Sequence, residues 1–165
     1  MRPPVLAVLA VLAVALAFAS IAGADVPEYV SKSGGYAIDF PGAPTEDAQE
    51  GIVQGAKLRV VFDVFAREKD QLFMVAYADI PASAAGHPID DSSLVAQGRL
   101  IRRKDFKLFG HHARDVEVAL AADHVLRVRI VDLGRRLYQI GVVMPATLAH
   151  QPAIDGYFGS FRLTR

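Results

Sequence analysis

The sequence predicts an α+β domain built on a central antiparallel sheet with helices packed on its faces. Three observations carry that expectation. Several runs alternate like strands yet hold apolar residues on both sides, turn signals separate some neighbouring runs by only a few residues, and the last aromatic residues fall at helical spacing.

Taken in order, Tyr36 to Phe40 alternates in strand fashion and stops at Pro41-Gly42, a turn signal followed by the polar stretch Ala43 to Gly51. In Lys57 to Ala66, Leu58, Val60, Phe62 and Val64 share one face, while Val61 and Phe65 make the other partly apolar, as in a strand covered on both sides. Leu72 to Asp79 repeats this, with Phe73, Val75 and Tyr77 opposed to Leu72, Met74 and Ala76. Glu68-Lys69-Asp70 between the two runs predicts a β-hairpin.

Pro81 to Asp91 reads as a loop of small residues, and Asp90 or Asp91 caps a following helix with Leu94, Val95, Leu100 and Ile101 as its buried stripe. Gly98 weakens that helix by about 1 kcal/mol relative to alanine. Strands are expected next over Phe106 to Phe109, Ala113 to Leu120, Val125 to Leu133 and Leu137 to Met144. Beyond Pro145 the chain reads as a turn and a terminal helix that buries Ile154, Tyr157, Phe158 and Phe161.

The last three strands can be phased against one another. Leu126, Val128 and Ile130 share a core face with Val116, Val118 and Leu120, which brings Asp115 and Glu117 alongside Arg127 and Arg129 as cross-strand pairs. Applied at Gly134-Arg135-Arg136, the same parity favours a three-residue loop. That loop sets Tyr138, Ile140 and Val142 on the shared core face, whereas a two-residue hairpin sets Gln139 and Gly141 opposite Ile130 and Val128.

The N-terminus has the layout of a secretory signal peptide over residues 1–24. Arg2 precedes an apolar run from Val5 to Phe18, and Ala22-Gly23-Ala24 supplies the small residues of a cleavage site. An uncleaved anchor is the competing reading, since Val5 to Ala24 is uncharged over about the length of a bilayer span; the short alanine-rich run and the A-x-A triplet favour cleavage. The expected mature chain is one domain over 25–165, periplasmic or secreted, with no stable membrane insertion. The chain has no cysteine, which excludes disulfides, thiolate metal sites and a lipid-modified N-terminal cysteine. The balance of 18 Lys and Arg against 18 Asp and Glu, with signs interspersed, lacks the footprint of a nucleic-acid partner.

Motifs for chemistry are sparse. There is no G-x-S-x-G elbow, phosphate loop, H-E-x-x-H or EF-hand pattern. His111 and His112 cannot ligate one ion from adjacent strand positions, and Gly110-His111 reads as a hairpin turn. His87 with Asp90 and Asp91 is the better metal candidate, because a loop can converge one imidazole and two carboxylates. The other local concentration is basic: Arg99, Arg102, Arg103, Lys104 and Lys107, interrupted by Asp105, at the expected helix end.

Four segments recur in this order in small exported bacterial domains: Gly34-Gly35-Tyr36-Ala37-Ile38-Asp39-Phe40-Pro41-Gly42-Ala43-Pro44, Val75-Ala76-Tyr77-Ala78-Asp79-Ile80-Pro81, Arg136-Leu137-Tyr138-Gln139-Ile140 and Tyr157-Phe158-Gly159-Ser160-Phe161-Arg162-Leu163. On these segments the chain resembles the PsbP-like group, which includes the photosystem II extrinsic protein PsbP and the periplasmic DcrB proteins. The resemblance covers most of the mature chain. It implies an α/β/α sandwich around an antiparallel sheet, and it implies no enzyme activity and no catalytic residues. The expected function is a non-enzymatic exported module that binds a protein partner or assists an envelope complex, with Arg99, Arg102 and Arg103 as contact residues and no cofactor. The alternative is a small-ligand or metal binder, or a weak hydrolase, using the 81–91 loop.

Overall fold

The computed structural model describes residues 27–53, 56–68 and 70–164. The expected signal peptide over 1–24 lies outside the described residues. Among the described residues, no helix is long and apolar enough to cross a membrane.

The strands are β1 (Tyr29–Ser31), β2 (Tyr36–Ile38), β3 (Thr45–Val53), β4 (Ala56–Arg67), β5 (Gln71–Asp79), β6 (Arg99–Leu108), β7 (His111–Ala119), β8 (His124–Asp132), β9 (Arg136–Pro145) and β10 (Arg162–Leu163). Two α-helices accompany them, α1 (Ser92–Val95) and α2 (Pro152–Ser160). Seven strands form one antiparallel sheet in the order β3-β4-β5-β9-β8-β7-β6, and β1-β2-β10 form a second, smaller sheet. The protein is therefore mostly β, and its helical part is smaller than the sequence led us to expect.

Apolar side chains on both faces of the large sheet require two covers. On one face Val61, Phe73, Val75, Tyr77, Tyr138, Ile140 and Val142 share a buried cluster with Tyr36 and Ile38 of the small sheet and with Ile154, Tyr157 and Phe158 of α2. On the other, Val60, Phe62, Ala76 and Ala78 bury against Ile80 and Ala84, while Val116, Val118, Leu126, Val128 and Ile130 bury against Ile89 and Leu94. The connection from Ile80 to Leu94 is thus the second cover, although it holds only a 3-10 turn at Ala82–Ala84 and the four residues of α1.

The small sheet is fastened through a buried carboxylate. Asp63 on β4 is fully buried, accepting from the Tyr29 hydroxyl at 2.7 Å and from the Tyr36 hydroxyl. A second set of bonds holds the turn between β1 and β2: the Tyr138 hydroxyl donates to the Gly34 carbonyl at 2.5 Å, and the Tyr77 hydroxyl to Ser33 Oγ at 2.8 Å. Arg136 donates to the Ser33 and Gly34 carbonyls while bridging Asp79 at 2.6 Å.

Several expectations are met. The β4–β5 hairpin forms with Arg67 opposite Gln71, and β7–β8 pair in the phased register, Asp115 opposite Arg129 and Glu117 opposite Arg127. Helix α2 buries Ile154, Tyr157 and Phe158, and Phe161 follows at its end.

Others are corrected. The strand over Tyr36 to Phe40 is β2 of the small sheet, and the polar stretch after it is the edge strand β3. The helix expected after Asp91 stops at Val95, and the chain enters β6 at Arg99. Leu94, Val95 and Leu100 pack together as that helical stripe required, but Leu100 does so from a strand, opposite Val118. Ile101 sits at an irregularity between Leu100 and Arg102 and is 46% exposed. The β8–β9 loop has two residues, not three. Leu133 N donates to Arg136 O at 2.9 Å, and Gly134 takes the positive φ of 83° that a tight hairpin demands. Gln139 and Gly141 accordingly face Ile130 and Val128, while Tyr138, Ile140 and Val142 bury on the opposite face, so parity with Leu126 did not constrain them.

Two outcomes follow from this packing. A Cβ on Gly98 would lie 2.0 Å from the Ala119 carbonyl oxygen, so Gly98→Ala must displace backbone where β6 begins. We expect a loss of about 1–3 kcal/mol in urea unfolding. Burial first, and then the bond to Asp63, holds the Tyr29 and Tyr36 phenols above their ordinary value. Stability from keeping them neutral is complete below about pH 10 and is lost above it, where the unfolded chain ionises and the folded chain does not. Unfolding free energy measured against alkaline pH should fall beyond that point, with the slope reduced by about one proton in Tyr36→Phe.

Candidate functional site

The basic residues read from the sequence lie on β6, an edge strand of the large sheet. As a strand, β6 sends alternate side chains to opposite faces, and the irregularity at Ile101 resets its phase. Arg102, opposite Glu117, and Lys104, opposite Asp115, project on the α2 face; Arg103, opposite Val116, and Asp105, opposite Arg114, project on the other. The proposed trio of Arg99, Arg102 and Arg103 is therefore not one patch.

Arg103 is occupied. Its Nε and Nη2 donate to the buried Asp91 carboxylate at 2.7 and 3.0 Å. Arg114 stands 3.5 Å from Asp91, donates to Asp105 at 2.8 Å and to the Ile89 carbonyl at 3.0 Å, and Asp105 also meets His112 at 3.1 Å. The Arg114 bond holds the Asp105 carboxyl below its usual range, and Asp105 in turn raises Arg114. This chain of charges ties the 81–91 loop to the sheet. Bidentate pairs of this kind have a fixed geometry, and Asp91 is where they converge.

On the α2 face Arg127 and Arg129 are occupied as well. Arg129 donates to Asp115 at 2.8 and 2.9 Å, and its guanidinium lies 5.0 Å from the Phe106 ring. Arg127 donates to Asp155 at 3.0 Å and to the Ala149 carbonyl, and stacks 5.1 Å from the Phe158 ring. Glu117 is buried and has His150 at 3.5 Å. These groups secure α2 to the sheet, and the cavity that Arg102 shares with them is about 10 Å³, scarcely one water. In contrast, Arg99, Arg102, Lys104 and Lys107 are exposed and make no ion pair or side-chain hydrogen bond among the described residues.

The loop candidate disperses. Asp91 turns to Arg103 and Arg114 and holds the N-cap position of α1 without a side-chain cap bond, whereas Asp90, one residue earlier, accepts from Ser92 N and Ser92 Oγ at 3.0 Å each. His87 and Asp90 line a cavity of about 30 Å³ with Ile80, Pro88 and Leu137. Among the described residues no three His, Cys, Asp or Glu stand close enough to hold a metal ion. The turn expected at Gly110-His111 is shifted by one residue, to Phe109-Gly110, and both of its positions take positive φ.

The edge position of β6 and the exposure of Ile101 went unseen in the sequence. A run of cations broken by a single carboxylate is a signature of protected sheet edges, and would have been the signal.

No protein-family model matches the chain, and no curated protein matches it. Among solved structures it is similar to the solution structure of cyanobacterial PsbP (CyanoP) from Synechocystis sp. PCC 6803, with a TM-score of 0.58 at 13% identity over 90% of this chain and 98% of that one. The chain has a PsbP-like fold.

Asp91→Ala would leave Arg103 and the part-buried Arg114 without their shared carboxylate. We expect a loss of about 1–3 kcal/mol in urea unfolding, together with new protease cleavage between Ala85 and Asp90.

Proposed function

We propose that this chain is an exported, non-enzymatic module whose β6 edge docks an extended, acidic segment of a protein partner in the cell envelope. The observation that carries the reading is the coincidence, on one strand, of an open edge and unpaired cations. Beyond its pairing with β7, β6 makes no backbone hydrogen bond among the described residues, and Arg99, Arg102, Lys104 and Lys107 line it without partners. An added strand supplies backbone bonds for affinity, and side chains flanking it set the charge it selects. Export rests on the order of Arg2, the apolar run Val5 to Phe18 and Ala22-Gly23-Ala24, and the segment over 1–24 is read as cleaved to release a single domain over 25–165. The PsbP-like fold supports a module without catalysis. A ligand-binding or hydrolytic site in the 81–91 loop has less support, because Asp91 is turned to Arg103 and Arg114 and only His87 and Asp90 share the cavity there.

Arg102 and Lys104 are the residues to test, since replacing Arg103 would also release Asp91. Arg102→Ser with Lys104→Ser should leave the melting curve unchanged, because exposed substitutions usually fall within about 0.5 kcal/mol. Binding of a synthetic peptide alternating Glu and Val, followed by fluorescence anisotropy at low salt, should weaken about three- to tenfold. Failure of the unaltered protein to bind that peptide, or equal binding by the variant, would overturn the reading.

A further inference from the structure

We infer that the partner of the β6 edge is the opposite edge of a second copy of this chain, so that sheets join head to tail. The inference rests on β6 being a docking edge and names what docks there. Strand β3, the other edge of the same sheet, is acidic where β6 is basic: Glu46, Asp47 and Glu50 are exposed, and no cation lies within Thr45–Val53. Charges on an edge protect it from pairing with its own kind. Here they oppose β6 against β6 and β3 against β3, the two contacts a two-fold dimer would make, and favour only the unlike pair.

The geometry agrees with the charges. In a seven-stranded antiparallel sheet the two edge strands run in the same direction, so stacking a second copy without inverting it sets β6 beside β3 as a parallel pair with corresponding faces aligned. Arg102 and Lys104 project on the α2 face of the sheet. Glu46, opposite Asp63, and Glu50, opposite Arg59, project on that same face, since Asp63 lies under the small sheet. The register that sets Glu46 beside Arg102 also sets Ala48 beside Lys104 and Gln49 beside Asp105, so no carboxylate meets a carboxylate. It uses the segment of β6 beyond the irregularity at Ile101, where pairing with β7 is regular. One rearrangement is required: Asp47, which now accepts from Ala48 N at 2.7 Å on its own edge, must turn away.

Because the contact is between unlike surfaces it does not close on itself, and mass should grow with concentration beyond a dimer. The test is sedimentation velocity on the full chain recovered in soluble form, at about 0.01 M salt, where charges act over about 30 Å, and at about 1 M, where they act over about 3 Å. At low salt the weight-average mass should rise past about twice that of one chain as concentration increases, and at high salt it should not. Arg102→Glu with Lys104→Glu should abolish the growth, and adding Glu46→Lys with Glu50→Lys in the same chain should restore it. Association that ignores these substitutions, or a mass that stays at one chain throughout, overturns the inference. If the Glu–Val peptide still binds to a chain that never self-associates, the docking edge stands and self-pairing falls; loss of both overturns both.

Discussion

A sheet that is apolar on both faces has to be covered twice, and that requirement organises this protein. On one side the cover is the small three-stranded sheet with α2; on the other it is the connection between β5 and β6. Neither cover could stand alone. Strands of two or three residues and a four-residue helix do not bury enough surface to be stable apart from the large sheet.

Specific polar contacts then fix where each cover sits. Asp63 reaches from β4 to Tyr29 and Tyr36, one on each of two neighbouring strands of the small sheet. A carboxylate buried in this way is tolerated because its oxygens accept from two donors, and it becomes costly once they are withdrawn. Arg136 does the equivalent for the turn over residues 32–35, Arg127 and Arg129 for α2, and Asp91 for the loop. Each contact joins the sheet to an element too short to hold its own position.

This use of charge leaves two kinds of cation on the surface. Arg103, Arg114, Arg127, Arg129 and Arg136 are committed to the fold, whereas Arg99, Arg102, Lys104 and Lys107 are not. For Arg102 and Arg103 the distinction follows the pleat of β6, not the order of residues along the chain. Arg102 and Arg103 are adjacent in sequence, yet one anchors the loop cover and the other faces solvent. The opposite sign of β3 gives the sheet a polarity from edge to edge, although the whole chain has no net charge.

What the sequence determined by itself was local or strictly periodic. The two-sided alternation of β4 and β5, the turn between them, the pairing of Asp115 and Glu117 with Arg127 and Arg129, and the aromatic spacing of α2 could all be read, because each depends on neighbours in the chain or on one adjacent strand. Tertiary structure decided the rest. Leu94, Val95, Leu100 and Ile101 are spaced as on a helix, and only the ladder with β7 makes the last two part of a strand. Parity with Leu126, Val128 and Ile130 sets Tyr138, Ile140 and Val142 on their face; the cover on the second face lets them bury opposite it, and the tighter hairpin at Gly134 follows. Strand β3 has no buried side in sequence terms, being an edge whose polar side chains meet water, and β10 is too short to announce itself before β2 is in place. An edge exists only once the order of strands is fixed, and that order is set by which faces must be covered, a property of the folded sheet that no single segment carries.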